Sequence, residues 1–358
     1  MKTHHVVRRV DDHSDDRRAA AAGLMGCLPP PRRLLEFGAY PAWPCYTKEA
    51  VDNRLLLPRE LPRVYSFYMD NRPTIAIMYD FDKTLTTRAM QEYSFIPNLG
   101  MEAAAFWGKA NELARKEGMD SVLAYMRLML DEAKRHDQPI RRGDFVSLGR
   151  TLEFYPGVEA WFDHVNELGR ELELQIEHFI ISSGLTEIIE GSAIGSRFKK
   201  IYACEYYYDV NGVAKWPKLA INYTAKTQFL FRINKGILDV WEDNALNDYT
   251  PQELRPVPFA NMIYIGDGLT DVPCMKLVKE SGGISIAVHA KGEVDLCHRL
   301  MAAGRINFFI EADYTPQGGL FALMKKILAR MSSANALEKT HLLMKKEAMS
   351  HGNKGHHH

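Results

Sequence analysis

The sequence predicts an α/β protein, a doubly wound, Rossmann-like parallel sheet with an inserted helical cap domain. Three observations carry that expectation. From residue 74 onward, short apolar runs alternate with amphipathic stretches of helix length. The runs are almost continuously apolar and mostly β-branched or aromatic, as strands covered on both faces require. A long stretch of helical period separates the first run from the second.

The strands are expected at TIAIMYD (74–80), HFIIS (178–182), NMIYIGD (261–267), ISIAV (284–288) and NFFI (307–310). Helices are expected at 158–172, 185–198, 226–238 and 271–281. In the first insertion, Ala103, Phe106, Trp107, Ala110 and Leu113 fall on one helical face, and Asp120 is a good N-cap for the next helix. A second insertion, ACEYYYDVNGVAKW (203–216), alternates around Asn211-Gly212 and reads as a hairpin. Its Tyr206–Tyr208 run lacks a basic cluster and reads as half-buried strand, not as a platform for bases. The chain divides into a Rossmann-like core at 69–87 and 153–331, a helical cap at 88–152 and a tail at 332–358. Residues 1–68 are charged and proline-rich without a sustained period, and are expected to be loosely attached, with Met69 as an alternative start.

Composition excludes several classes of partner. Lys+Arg and Asp+Glu are both 45 in 358 residues, which removes any global electrostatic attraction to nucleic acid or an anionic membrane. No apolar run reaches the roughly 18 residues that span a bilayer. The five cysteines, Cys27, Cys45, Cys204, Cys274 and Cys297, form no C-x-x-C pair, so neither a disulfide framework nor a zinc site is suggested and a cytoplasmic setting is expected. A small-molecule substrate is the expected partner; nothing fixes the oligomeric state.

Three strand ends carry polar groups. The first run ends in Asp80-Phe81-Asp82-Lys83-Thr84. Two carboxylates two residues apart share one side of an extended chain, where one can serve as a covalent nucleophile and the other can exchange a proton with the leaving group. Alone, such a pair also suits a turn. The second run ends in Ser182-Ser183-Gly184, read as a hydroxyl and a small residue at a helix start, where backbone N–H groups receive phosphate. The third, GDGLTD, places Asp267 and Asp271 four residues apart, with Gly266 and Gly268 for a tight turn. Magnesium takes hard oxygen ligands, which makes Asp267 a candidate ligand and Asp271 a carboxylate that orients its neighbours. Lys226 opens a helix, the wrong end for a cation unless it faces an anion.

DFDKTLT after an apolar strand, Ser182 after FII, Lys226, and GDGLTD followed by Met275, in that order, resemble the haloacid dehalogenase-like hydrolase superfamily and most closely its phosphoserine-phosphatase-like branch. The resemblance covers about residues 74–325. It implies a core with the first strand central and a magnesium-dependent phosphatase of a small phosphorylated metabolite, working through an aspartyl-phosphate. By position it implies Asp80 as nucleophile, Asp82 as general acid/base, and Ser182 and Lys226 as holders of the phosphoryl group, with Thr84, Ser183 and Gly184 beside them. Mg2+ would be held by Asp80, Asp267 and the main-chain carbonyl of Asp82. Lys83 stands where the family commonly has glycine or serine, and Ser183 where the branch has glycine. The cap should set specificity, with Arg88, Glu92, Arg127, Arg135 and Arg142 available to polar groups. A phosphomutase or other phosphotransferase, or a binding protein without turnover, remain as alternatives on the same fold. DKTLT (82–86) also resembles the D-K-T-G-T of P-type ion pumps, a reading that makes Asp82 the nucleophile and puts Thr84 in the acid/base place.

Overall fold

A computed structural model of the protein describes residues 72–352; the expectations for residues 1–68 lie outside them. Seven strands form one sheet in the order β4-β3-β2-β1-β5-β6-β7. They are β1 Thr74–Tyr79, β2 Gln175–Leu185, β3 Lys200–Tyr208, β4 Ala214–Leu219, β5 Met262–Gly266, β6 Ile284–His289 and β7 Phe308–Glu311. All neighbouring pairs are parallel except β3 and β4. The first strand is central, as the resemblance implied. Ile75 to Tyr79 have no exposed surface, which both faces of β1 being covered explains.

Four helices separate β1 from the helix that leads into β2: α1 Phe95–Asn98, α2 Ala103–Glu117, α3 Ser121–Arg135 and α4 Arg142–Leu148. The expected face of α2 is the packed one, with Phe106 and Ala110 buried. Asp120 caps α3 by accepting from Val122 N and Leu123 N at 2.9 and 3.2 Å. This insertion leaves and rejoins the core side by side: Thr86 bridges Phe154, and Thr87 N donates to Glu153 O at 3.0 Å. The remaining helices are α5 Val158–Glu171, α6 Thr186–Glu190, α7 Lys226–Lys235, α8 Asp243–Asn247, α9 Val272–Glu280, α10 Asp295–Ala302 and α11 Gly319–Gly352.

Three expectations are corrected, and one element was not expected. Residues 203–216 are not an insertion: β3 pairs parallel with β2, and only β4 turns back as an antiparallel edge. Alternation in EYYY reads alike in a free hairpin and in a sheet margin, and the burial of Tyr202, Cys204 and Tyr206 distinguishes them. The helix expected at 185–198 stops at Glu190; the residue that follows, Gly191, lies so close to Val146 O that a Cβ would meet it at 1.8 Å. α10 carried no period the sequence reading picked out. The tail expected from 332 is helical to Gly352, and its first part is tied down, with Ser332 Oγ donating to Leu172 O at 3.0 Å and Asn335 exchanging side-chain hydrogen bonds with Asn261.

Beneath β1 runs a buried polar chain. Trp161 Nε1 donates to Tyr79 Oη at 2.9 Å, Tyr79 Oη lies 3.1 Å from His178 Nδ1, and His178 Nε2 lies 3.1 Å from Asn166 Oδ1. Tyr79 has one proton, so it donates to Nδ1, and the imidazole is neutral with its proton on Nε2. Burial, helped by the Arg197 charge, pushes the His178 pKa down to about 3. The unfolded chain takes up that proton from pH 6.5 downward, whereas the fold refuses it until about pH 3. His178 thus contributes stability that is present above pH 6.5 and lost as pH falls. Urea titrations of wild type and His178→Gln at pH 7.5 and pH 5 should show the variant losing less stability over this interval; parallel losses would contradict the assignment.

Candidate active site

The chemistry-bearing residues meet at the carboxyl ends of β1, β2 and β5. Tyr79 is level with Ile180 on one side and with Ile265 on the other. Asp80 N still donates to Ile265 O at 2.9 Å, so the Asp80 backbone is fixed one residue beyond the strand. The chain then turns: Leu85 N donates to Phe81 O at 2.9 Å, and Lys83 takes a left-handed backbone with φ of 57°. That is a conformation that glycine adopts without strain. The strand geometry assumed for Asp80 and Asp82 therefore ends at Tyr79. The two carboxylates still feel each other's charge, and Asp82 Oδ1 accepts from Met90 N at 2.8 Å.

Lys226, the first residue of α7, is fully buried. Its Nζ donates to Asp271 Oδ1 at 2.7 Å and lies 3.1 Å from Asp80 Oδ1. Burial alone would lower its pKa, but the Asp271 and Asp80 carboxylates more than offset that and raise it. Asp271 Oδ1 also accepts from Tyr264 Oη at 2.8 Å, and its Oδ2 from Gly268 N at 3.3 Å. The Asp271 carboxyl lies across the end of β5, where a Cβ on Gly266 would meet it at 2.6 Å. Glycine is needed at 266. At 268 the backbone is extended and a Cβ meets nothing closer than 3.9 Å, so the turn does not require glycine there.

Ser182 is within β2 and not at a helix start, because the strand continues to Leu185 through a register shift beyond Ile181. Its buried Oγ accepts from Gly184 N at 3.0 Å, which leaves its own proton unassigned. Ser183 differs: its Oγ donates to Ile221 O at 2.7 Å, and its carbonyl accepts from Tyr125 Oη at 2.6 Å. Gly184 is packed so that a Cβ would meet Met90 Cε at 2.1 Å and Asp82 Oδ2 at 3.2 Å. Thr84 is buried and donates to Asp267 Oδ1 at 3.4 Å, while its carbonyl accepts from Tyr314 Oη at 2.8 Å.

Asp80, Asp267 and Asp271 each present an oxygen within 4.8 Å of the others. Asp271 already has protein donors on both oxygens, whereas the buried Asp80 Oδ1 has only the Lys226 ammonium, at 3.1 Å. The Asp80 and Asp267 carboxylates together are a donor set that suits a hard divalent cation. Burial, then the charge of Asp271, raises Asp80; burial and the Asp271 and Asp80 charges push Asp267 up; burial and Asp80 push Asp82 up to about 8. Sequence reasoning missed Tyr264, Met90 and Tyr125. A tyrosine in a fully apolar strand is a signal, since a buried hydroxyl needs a partner; a backbone donor such as Met90 N–H leaves none.

Carboxylates that hold protons near neutrality must release them to a cation. Magnesium titrated by calorimetry should release protons at pH 7 and bind more tightly at pH 8.5 than at pH 6, by about tenfold or more. Affinity independent of pH would contradict the protonated cluster.

A family model described as haloacid dehalogenase-like hydrolase matches residues 77–276, more than half of the chain. An uncharacterized protein of Borreliella burgdorferi is 28% identical over 288 residues, which are 71% of this chain and 96% of that protein. Among solved structures, a HAD family hydrolase from Salmonella enterica serovar Typhi aligns with a TM-score of 0.48 at 16% identity, covering 75% of this chain and 80% of that one. A phospho-aspartyl intermediate analogue of phosphoserine phosphatase aligns with a TM-score of 0.44 at 15% identity, covering 71% and 99%.

Proposed function

The chain belongs to the haloacid dehalogenase-like hydrolase family, and we propose that it is a magnesium-dependent phosphatase of the phosphoserine-phosphatase-like branch that hydrolyses a small phosphorylated metabolite through an aspartyl-phosphate on Asp80. The observation that carries this reading is the Asp80 carboxylate: buried at the end of the central strand, with an oxygen that has only the buried Lys226 ammonium, at 3.1 Å. An ammonium so placed offers the phosphoryl oxygens a charge as they approach the carboxylate.

Asp80 attacks phosphorus, so that a new P–O bond forms as the bond to the leaving oxygen breaks. Asp82, whose raised pKa keeps a proton on it near neutrality, gives that proton to the leaving oxygen. Water then attacks the acyl-phosphate, Asp82 takes its proton, and the bond to Asp80 breaks to give inorganic phosphate. The Ser182 hydroxyl, with its proton uncommitted, donates to a phosphoryl oxygen, and Lys226 holds another. The Asp267 and Asp80 carboxylates with the Asp82 carbonyl would hold a divalent cation, which supplies positive charge against the substrate dianion when bound. Asp271 and Tyr264 keep Lys226 aimed at Asp80.

Hydrolysis of an aryl phosphate should require a divalent cation and stop on exhaustive chelation. Lys226→Ala should remove roughly 3–4 kcal/mol of transition-state stabilisation. Near-normal turnover of that variant, or full activity without metal, would contradict the reading.

A further inference from the structure

The register of β2 with β3 passes from Ile181 directly to Leu185, so residues 182–184 lie outside the ladder and their backbone groups need partners of another kind. For the Ser183 carbonyl that partner comes from the insertion: Tyr125 Oη, on α3, donates to it at 2.6 Å. Cys204 Sγ, a weak donor, stands at 3.4 Å from the same oxygen. Burial raises the Tyr125 pKa well above its ordinary value, so the phenol keeps the proton it donates.

The Ser183 carbonyl and the Gly184 N–H belong to one planar peptide group and point opposite ways. Fixing one therefore aims the other. Gly184 N–H donates to Ser182 Oγ at 3.0 Å, and an oxygen that accepts there must turn its own proton elsewhere. In the proposed reaction that proton is donated to a phosphoryl oxygen. A hydroxyl of the insertion thus reaches the phosphoryl-holding hydroxyl of the core through a single peptide plane.

Tyr125 has little freedom of its own. Trp107 stands edge to face with it, ring centres 5.8 Å apart, and Trp107 Nε1 is anchored on Glu92 Oε1 at 2.8 Å. The same part of α3 is tied to the core on either side of Tyr125: Asp120 Oδ2 accepts from Asn222 Nδ2 at 2.9 Å, and the Met126 carbonyl accepts from Tyr206 Oη at 2.7 Å. Those two bonds seat the helix. Of the three contacts, that of Tyr125 alone falls on the peptide that follows Ser182.

We infer that Tyr125 is a positioning residue for phosphoryl transfer: it orients the peptide between Ser183 and Gly184 and, through it, the Ser182 hydroxyl. The inference rests on the phosphatase reading and deepens it. Because Ser182 acts on phosphoryl oxygens that every monoester carries, the contribution of Tyr125 does not depend on the leaving group.

The test is a double-mutant cycle: kcat of wild type, Tyr125→Phe, Ser182→Ala and the double variant, with magnesium, on p-nitrophenyl phosphate and on phenyl phosphate. Tyr125→Phe keeps the packed ring and removes one oxygen. It should lower kcat by about 3–10-fold on both esters, the range of one lost hydrogen bond, and should lower it no further once residue 182 has lost its hydroxyl. An equal loss in both backgrounds, or no loss with Ser182 in place, would overturn the inference. Tyr206→Phe, which removes the neighbouring tie, should show no such coupling to Ser182; coupling of the same size there would assign the effect to the seating of α3 and overturn the inference as well. If Asp80→Asn abolishes hydrolysis while the cycle is additive, the phosphatase reading stands and this inference falls. Absence of any Asp80-dependent hydrolysis would overturn both.

Discussion

A single buried ammonium ties the catalytic end of the sheet together. Lys226 is fully buried, and it bridges the first residue after β1 to the turn after β5 through Asp80 and Asp271. Breaking a buried pair by removing one partner typically costs about 3–5 kcal/mol, because the other charge is left unsolvated. Each neighbour of this pair is accordingly constrained. Gly266 must lack a side chain so that Asp271 can lie across the strand end, Tyr264 must present its hydroxyl, and α7 must begin at residue 226. The segment 239–258 helps hold that helix: Arg232 donates to Asp239 O and Val240 O, Lys235 to Leu246 O and Asp248 O, and Asn234 to Val257 O.

This arrangement divides the work between core and insertion. The core supplies Asp80 and Asp267 just beyond strand ends and Lys226 at the first residue of α7. The insertion supplies Met90, Glu92, Trp107 and Tyr125, on helices that join the core through the bridged segments at Thr86 and Phe154.

Much of this was legible in the sequence because apolar runs covered on both faces announce themselves, and because the polar residues that follow them are out of place in a core. Asp80 and Asp267 were picked out in that way, and Lys226 by its place at a helix start in combination with them. What pairs with what was less legible. Asp271 as the residue that orients Lys226, Tyr264 as its second donor and Met90 as the donor to Asp82 depend on contacts between segments distant in sequence. The sheet margin was misread since alternation in KIYACEYYY records one exposed face without saying which strand lies beside it. Ser182 was put at a helix start, but a bulge carries β2 on to Leu185.

The central claim is that Asp80, and not Asp82, takes the phosphoryl group. Wild type and Asp82→Asn should be mixed with p-nitrophenyl phosphate and magnesium, quenched in acid, and the phosphorylated residue located by mass spectrometry. The account predicts label on Asp80, accumulating in Asp82→Asn because hydrolysis there lacks its base. Label on residue 82 of wild type, or label in Asp80→Asn, would contradict it.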